Sequence, residues 1–283
     1  MDKAALLTAF EQAGLSRLLK DIDALAKPSI RIYTTPVDEA HLPVGVSKVG
    51  GLPDLPPDLA WPAFDGLPQS FIAQIRLAEV SPYDVEGALP KTGLLWFFFC
   101  DAKQDIYGDD PQNCGAWQIF FQEVDFTTLK RTPFPATLPG KSRFKASSVR
   151  FASEMTLSQV PQIELANYDW REEELEKYED LVANLTPPDQ RAFRHRLLGN
   201  PDLIQDDMRL QCQLVSHGIT DENDPRAQAL NKGAKDWTLL FQVDTDERIG
   251  MRWSSSGMLY YWITSTNLQA RHFETAWLVM QAD

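Results

Sequence analysis

Three short segments occur twice along the chain, in the same order. The matched pairs are GLPDL at 51–55 with GNPDL at 199–203, FIAQI at 71–75 with LLFQV at 239–243, and GLLWFFF at 93–99 with GMLYYWI at 257–263. Separate matches in a shared order are typical of an internal repeat. The sequence therefore predicts an internal duplication into two related halves, about 45–165 and 186–283, that face each other across a pseudo-twofold axis.

Each copy of the first segment is a constrained loop with a cation beside it. Lys48 and Arg196 stand three residues before the first glycine of the two copies. Glycine permits positive φ and the nearby proline fixes its own φ, so the loop is stiff. Such a loop either shapes the edge of a sheet or presents its N–H groups and its cation to a ligand. The residues assigned to this structural motif are Gly50, Gly51, Pro53, Gly199, Pro201 and Gly257.

A glutamine holds the same position in both copies of the second segment. Gln74 and Gln242 each lie between apolar residues. A buried amide has to be hydrogen-bonded, because an unpaired one costs roughly 1–3 kcal/mol. Each glutamine therefore either satisfies a loop backbone or lines a pocket that the two halves share near the axis.

The hydrophobic pattern predicts a mixed α+β protein with mostly antiparallel sheets. An N-terminal helix over 2–26 is ended by Pro28, and we expect a single domain over 29–283 behind the helical segment 1–28. Central helices are predicted at 170–185 and at 187–198, the second with Thr186 as N-cap and Gly199 as its exit. Strands are predicted at 30–34, 71–77, 93–100, 116–126, 145–151, 208–214, 237–244, 257–263 and 276–281.

The charge balance is strongly acidic. The 283 residues include 40 acidic and 27 basic side chains, a formal charge of −13. Such a charge repels phosphate backbones and anionic lipids, so we expect no nucleic acid and no membrane as a partner, and attraction to a basic protein partner. Cys100, Cys114 and Cys212 are widely spaced, and the N-terminus is typical of an amphipathic helix rather than of a signal peptide, which together predict reduced thiols and a cytoplasmic location.

No catalytic or metal-binding motif is present. The four histidines are scattered, and CxxC, HExxH, GxSxG, GxGxxG and GxxxxGK[ST] are all absent, so we expect no metal ion and no cofactor. A polar cleft between the halves would need charged, amide and indole side chains. The ligand-binding candidates are Lys48, Gln74, Arg196, Gln205, Gln242, Asp244, Trp61 and Trp253.

Several of these segments together resemble the YwqG-like family, a bacterial group of unknown function. The resemblance rests on SKVGGLPDLP and the AWP after it, FIAQI, LPKTGLLWFFF, HRLLGNPDLIQDDM and DWTLLFQVDTDERIGMRWSSSGMLYYWI, and it spans about 45–283. It implies an α+β protein dominated by antiparallel strands and carries over no catalytic role. The family often has an acidic residue between the Trp and Gly of WSSSG, where this chain has only serines, so no acid–base role is implied at that turn. The matching positions are Lys48, Gly50, Gly51, Pro53, Trp61, Pro62, Gln74, Gly93, His195, Gly199, Pro201, Gln205, Gln242, Asp244 and Gly257.

Two functional hypotheses follow. The first is a non-enzymatic binding protein with a basic protein partner, which the acidic charge and the lack of a catalytic motif favour. Its immunity or regulatory type is what the resemblance implies, since relatives are sometimes met near toxin–immunity loci. The second is a small-ligand-binding protein or enzyme that uses a polar cleft between the two halves. A purely structural role for every motif residue is the alternative to both.

Overall fold

The computed structural model describes residues 2–103, 105–187 and 191–283, and its main element is a ten-stranded antiparallel sheet. In chain order the strands are β1 (Ala26–Pro36), β2 (Lys48–Val49), β3 (Asp54–Leu55), β4 (Ala63–Phe64), β5 (Leu67–Pro68), β6 (Ser70–Arg76), β7 (Leu94–Phe99), β8 (Trp117–Gln122), β9 (Lys130–Arg131), β10 (Ser147–Leu157), β11 (His195–Leu197), β12 (Trp237–Asp244), β13 (Gly257–Thr264) and β14 (Trp277–Ala282). Two small sheets pair β3 with β9 and β4 with β5.

Helices cover the ends and connections of this sheet, so the chain is a mixed α+β protein. They are α1 (Lys3–Gln12), α2 (Ile22–Leu25), α3 (Leu77–Val80), α4 (Pro161–Glu164), α5 (Glu172–Leu185), α6 (Arg209–Val215), α7 (Ala227–Leu230) and α8 (Ser265–Ala270). The N-terminal helix is confirmed in part: it is divided at Gly14, whose φ is +76°, into α1, a 3₁₀ helix (Ser16–Asp21) and α2. Pro28 does not end it, because the chain already enters β1 at Ala26 and Pro28 pairs with Met155 there. Within the described ranges, no helix is long and apolar enough to cross a membrane.

The two longest strands form the centre of the sheet. β1 and β10 pair antiparallel along their whole length, from Ala26 opposite Leu157 to Pro36 opposite Ser147. The other edge of β1 pairs with β11, and the other edge of β10 pairs with β2. The sheet order is therefore β14-β13-β12-β11-β1-β10-β2-β6-β7-β8. We name β2, β6, β7 and β8 the first arm, and β11, β12, β13 and β14 the second arm.

The sheet curls until its outer strands meet, which makes it nearly barrel-shaped. The rings of Trp117 on β8 and Trp277 on β14 have centroids 4.8 Å apart, and the Trp117 indole donates a hydrogen bond to the carbonyl of Ala276. Inside, Phe97 of the first arm lies 4.7 Å from Phe241 and 5.2 Å from Tyr261 of the second arm. The interior is thus a packed core to which both arms contribute, not an open channel.

Most predicted strands are confirmed, and two elements are wrong. The helix predicted at 187–198 is replaced at its end by β11, because residues His195–Leu197 pair with β1 and β12; its residues 188–190 lie outside the described part. The strand predicted at 208–214 is helix α6, in which Met208, Cys212 and Val215 turn one face to the core. In both cases the sheet, rather than local propensity, decides the conformation.

Candidate functional site

Gln74 joins a loop of the first arm to the sheet. Its Nε2 donates to the carbonyl of Val46 at 2.7 Å and to Oδ2 of Asp54 at 2.8 Å, and its Oε1 accepts from the amide of Asp54 at 2.8 Å. The side chain is completely buried, and its neighbour on β2 in the sheet register is Lys48. The amide therefore clamps the turn 51–54 onto the sheet.

Gln242 makes the same contacts in the second arm. Its Nε2 donates to the carbonyl of Arg194 at 2.6 Å and to Oδ2 of Asp202 at 2.9 Å, and its Oε1 accepts from the amide of Asp202 at 2.8 Å. Its neighbour on β11 is Arg196, so the register repeats that of Gln74 with Lys48. The turn 199–202 is clamped in the same way as the turn 51–54.

An ion-pair cluster surrounds the first clamp. Lys48, with no exposed surface, lies 3.2 Å from Asp54 and 2.9 Å from Glu39, and the Arg131 Nε lies 3.0 Å from Asp54. Burial opposes ionisation of Asp54, but the Lys48 ammonium and the hydrogen bonds from Arg131, Gly45 and Gln74 outweigh it and lower the pKa of this carboxyl. The cluster is balanced, with two cations and two carboxylates, as buried charges require.

The second cation of the cluster at the second clamp comes from the neighbouring strand, β1. Arg196 lies 2.7 Å from Asp202 and 3.4 Å from Glu154. Arg31 on β1 lies next to Arg196 in the sheet register and is also buried. Burial and Arg196 lower the pKa of Arg31, while Glu154 and Asp202 raise it. Internal contacts therefore occupy the proposed ligand-binding cations Lys48 and Arg196.

The two clamps are separate. Four strands, β11, β1, β10 and β2, lie between β12 and β6 in the sheet. Gln74 holds the turn 51–54 and Gln242 holds the turn 199–202, and the two amides share no hydrogen-bond partner among the described residues. The structure therefore puts them in equivalent but separate surroundings, and not at one pocket near the axis.

The other candidates also have internal partners. Gln205 donates to the carbonyl of Ala282 at 2.8 Å, and the Trp61 indole donates to the carbonyl of Gln69 at 2.8 Å. Asp244 accepts from the amide of Arg194 at 2.9 Å, and burial raises the pKa of its carboxyl.

The proline and glycine positions of the motif have backbone roles. The carbonyl of Pro53 accepts from the amide of Thr132 at 2.8 Å. A side chain at Gly257 would meet the carbonyl of Trp253 at 2.6 Å. Gly199, with φ +79°, packs against Ser29, and Pro201 lies between it and the clamped Asp202.

His195 is a buried histidine with one free ring nitrogen. Its Nδ1 accepts from the amide of Asp244 at 3.1 Å, so Nε2 carries the proton, and Nε2 has no hydrogen-bond partner among the described residues. Burial lowers the pKa of His195 to about 4, despite the opposing charge of Asp246. The ring is therefore neutral at pH 7.

Gly50 and Gly51, in the loop of the first arm, contact the backbone of the segment that contains Phe144 and Lys145. Gly50 has φ +67°, and a Cβ there would lie 2.2 Å from the carbonyl oxygen of Lys145. The amide of Gly51 donates to the carbonyl of Phe144 at 3.2 Å. Only glycine allows this approach of two backbones, so the loop positions Phe144 and Lys145.

Lys145 borders a cleft at the end of the sheet where β7 and β12 finish and β10 begins. We name this the end cleft; its volume is about 710 Å³. Residues 101–103 and 105–107 of the first arm, the loop 249–254 of the second arm and the connecting segment 140–145 form its walls. The lining residues are Phe99, Asp101, Lys103, Asp105, Ile106, Tyr107, Gly140, Lys141, Arg143, Phe144, Lys145, Ile249, Gly250, Arg252, Trp253, Ser254 and Met280.

The end cleft is basic in an acidic protein. Five lining residues are cations and two are carboxylates, which gives +3 in a chain of −13. Lys103 is paired with Asp65, Arg252 lies 3.9 Å from Glu247, and Arg143 donates to the carbonyls of residues 135, 136 and 138. The ammonium groups of Lys141 and Lys145 form no ion pair or hydrogen bond with the described part of the chain, and Lys141 acts on the Asp101 carboxyl by its charge alone.

Buried aromatic side chains lie beneath the end cleft, since Trp253, Phe99 and Phe144 are at most 3% exposed. Trp253 packs edge to face on Phe99 and Phe144, with ring centroids 6.0 Å and 5.6 Å apart. Its indole donates to the carbonyl of Asp244 at 3.3 Å, which fixes the ring. Trp253 is thus the only one of the sequence candidates that lines this cleft.

One acid stands among the cations. Burial raises the pKa of Asp101. The Ser142 hydroxyl, which donates a hydrogen bond to Asp101 at 2.6 Å, and the charge of Lys141 both lower this pKa but do not cancel the effect of burial. Ser142 itself is completely buried and is unavailable as a nucleophile. Over the described ranges no group of three or more His, Cys, Asp or Glu side chains could hold a metal ion.

Sequence reasoning missed the cations of this cleft. Lys141, Arg143 and Lys145 alternate with buried residues in KSRFK, a pattern that marks one exposed face. The segment lies outside the duplicated motifs, so the repeat gives no signal at these residues.

The clamp geometry predicts a stability loss for Gln74→Leu. This change leaves the Asp54 amide and the Val46 carbonyl without their partner, so we expect the free energy of unfolding to fall by about 3 kcal/mol. Chemical denaturation measures it. Gln228→Leu is the matched control, because Gln228 is exposed, and it should change stability by less than about 0.5 kcal/mol. Equal effects of the two changes would show that the buried amide is dispensable.

The buried His195 predicts acid sensitivity. Its folded pKa of about 4 lies below the ordinary 6.5, so the unfolded chain binds the proton first as the pH falls. The free energy of unfolding should therefore decline from pH 6.5 to pH 4, with up to about 3 kcal/mol from this residue and no pH-dependent contribution from it above that window. His195→Asn, whose amide oxygen can replace Nδ1, should show a shallower decline. Parallel pH profiles of the two proteins would contradict this assignment.

One comparison with known proteins gives a match that covers both arms of the sheet. A search of curated proteins gave no match. One family model, described as Domain of unknown function (DUF1963), matches residues 47–282. The match includes both arms and every residue that lines the end cleft, and it begins after β1. Because it covers well over half of the chain, this protein belongs to the DUF1963 family.

Proposed function

We propose that this protein binds a small anionic ligand in the end cleft. The observation that carries this proposal is the charge of +3 on the cleft lining within a chain of −13. The net charge of the chain is of the opposite sign, so the cations of the cleft provide a local attraction for an anion on an otherwise acidic protein. The free ammonium groups of Lys141 and Lys145 are the first contacts we assign to it.

A second cleft gives an internal comparison. It lies at the opposite end of the sheet, between the loop 83–90 and helix α8 with the residue that follows it, Arg271. Its volume is about 530 Å³. Its charged lining residues are two cations, Lys27 and Arg271, and two carboxylates, Asp84 and Glu86. This fold therefore forms a cleft at a sheet end without an excess of cations, which supports a ligand-related role for the cations of the end cleft.

We also propose that the arms arose by duplication of one five-stranded unit whose first strands are exchanged. The hydrogen bond from the Trp96 indole to the Asp54 carbonyl corresponds to that from the Tyr260 hydroxyl to the Asp202 carbonyl. The units would be 26–122 and 147–282, since β1 borders the second arm and β10 borders the first. These bounds differ from the expected halves, because the strands that start each unit cross to the other one.

The setting that fits this function is the cytoplasm. Cys100, Cys114 and Cys212 are all free thiols, which is the usual state in a reducing compartment. A YwqG-like assignment within the DUF1963 family rests on the sequence segments alone.

Reversal of one cleft charge tests the anion site. Lys145→Glu should weaken binding of pyrophosphate at least about tenfold at low ionic strength, because it replaces an attraction with a repulsion. Isothermal titration calorimetry measures the affinity. Lys235→Glu makes the same charge change at an exposed lysine outside the end cleft and should alter affinity by less than about twofold. Absence of pyrophosphate binding to the unaltered protein, or equal effects of both changes, would overturn the proposal.

A basic protein partner is the second candidate, favoured by helix α5. Its exposed side chains include five carboxylates and one lysine. Like charges on one helix destabilise it, so their presence favours a partner of opposite charge. The five carboxylates belong to Glu172, Glu173, Glu176, Glu179 and Asp180.

Capture from host extract tests this second candidate. The protein should retain a basic protein in stoichiometric amount at low salt, and less of it at physiological salt, because screening weakens exposed charges. Glu176→Lys together with Glu179→Lys should abolish capture, while Asp109→Lys with Asp110→Lys, on an exposed loop elsewhere, should not. Failure to retain any such protein at either salt concentration contradicts it.

A further inference from the structure

We infer that the end cleft selects an anion that carries a proton, such as hydrogen phosphate, and that Asp101 makes this selection by sharing the proton with the ligand. This inference rests on the proposed function and names the class of ligand. It comes from the position of one carboxyl group among the cations of the cleft, which attraction of an anion alone does not require.

Asp101 is fixed on the wall of the end cleft through one side of its carboxyl group. The residue lies just after β7, and its amide donates to the carbonyl of Phe99 at 3.0 Å. Its Oδ2 accepts from the hydroxyl of Ser142 at 2.6 Å, and Ser142 is completely buried. The carboxyl is therefore tied to the segment 140–145 by one of its two oxygens.

The second oxygen of this carboxyl is left for a ligand. Among the residues that the structure describes, Oδ1 of Asp101 accepts no hydrogen bond, and Ser142 is the one donor to the carboxyl. The Lys141 ammonium acts on this group by its charge and forms no ion pair with it. Both side chains line the cleft, so a ligand there can meet the carboxyl as well as the ammonium.

An ionised carboxylate in an anion site discriminates between ligands by hydrogen bonding. It offers only acceptors, and so does a fully ionised anion such as sulfate, so the two repel each other. Hydrogen phosphate has the same tetrahedral shape and, at about pH 8, the same double charge, but it keeps one O–H group that donates to a carboxylate. Charge-assisted hydrogen bonds of this kind are roughly twice as strong as neutral ones. Asp101 therefore favours hydrogen phosphate over sulfate.

The surroundings of Asp101 make its carboxylate a good acceptor for this proton. Burial raises the pKa of the carboxyl, and the Ser142 hydroxyl and the charge of Lys141 only partly oppose this effect. A carboxylate of raised pKa holds the proton of an O–H donor more strongly. Sulfate brings no proton, so its binding would require Asp101 to take one from water, which costs free energy wherever the carboxyl is ionised.

Two anions that differ by one proton test this inference. Inorganic phosphate and sulfate are titrated calorimetrically into the intact protein at about pH 8 and at one ionic strength. Phosphate should bind at least about tenfold more tightly than sulfate. Asp101→Asn should bring the two affinities to within about threefold of each other, because the amide keeps the shape of the side chain and donates to either anion.

Asp105→Asn is the matched control. Asp105 is the other carboxylate of the same cleft, so this change removes the same charge and leaves Asp101 in place. Asp105 has φ +63°, a conformation that asparagine also adopts. Loss of this charge acts alike on two anions of equal charge, so the ratio of the two affinities should change by less than about twofold.

The outcomes separate this inference from the proposed function. If sulfate binds as tightly as phosphate and Lys145→Glu weakens both, the anion site stands and the selection for a proton is wrong. If phosphate binds more tightly but Asp101→Asn preserves the ratio as Asp105→Asn does, Asp101 does not make the selection and the inference is overturned. If neither anion binds and pyrophosphate also fails, the proposed function itself is wrong.

Discussion

The pairing of β1 with β10 is the interaction on which the rest of the structure depends. These two strands of 11 residues lie side by side, and each carries a complete arm on its free edge. The connection is crossed, because β1 comes before the first arm in sequence but borders the second arm. The second arm thus lies against a strand from the start of the chain, and the first arm against a strand that follows it in sequence. Contacts of such high sequence separation have to form together, which makes the two arms one cooperative unit.

From this centre, hydrogen bonds lead outward to the cleft. Lys48 on β2 places Gln74 opposite it, and Gln74 clamps the turn that begins with the paired glycines. Gly50 then lies against the carbonyl of Lys145, and Gly51 holds Phe144. In this arrangement Gly51 and Lys48 of the stiff glycine–proline loop have partners within the protein. The loop thereby positions the segment that carries Lys145 and the buried Phe144.

Much of the sheet could be predicted because its strands are local patterns of apolar residues. WTLLFQVD coincides with β12 residue for residue, and GMLYYWI begins where β13 begins. The failures have one cause. Residues 195–197 and 208–214 are short segments whose conformation depends on neighbours far along the chain, which a local pattern does not contain.

The candidate site was harder to predict than the fold, for a related reason. Motif residues such as Gln74 and Gln242 were visible as repeats, and the structure gives them internal hydrogen bonds. The cleft cations come from three separate stretches of sequence around Lys103, Lys145 and Arg252. Their juxtaposition results from the way in which the curled sheet brings loops of both arms together. The repeated residues therefore build the fold, whereas the proposed ligand would meet residues that differ between the copies.

The two clefts show that the cations are not required by the architecture. The ammonium groups of Lys141 and Lys145 form no ion pair within the described ranges, and Lys141 acts on the Asp101 carboxyl by its charge alone. The opposite cleft, of comparable size, balances its charges. Since the same sheet ends there in a neutral cleft, the fold by itself does not require a positive one. The proposed binding of an anion would account for these cations, because a negative ligand compensates charge that the protein leaves unpaired.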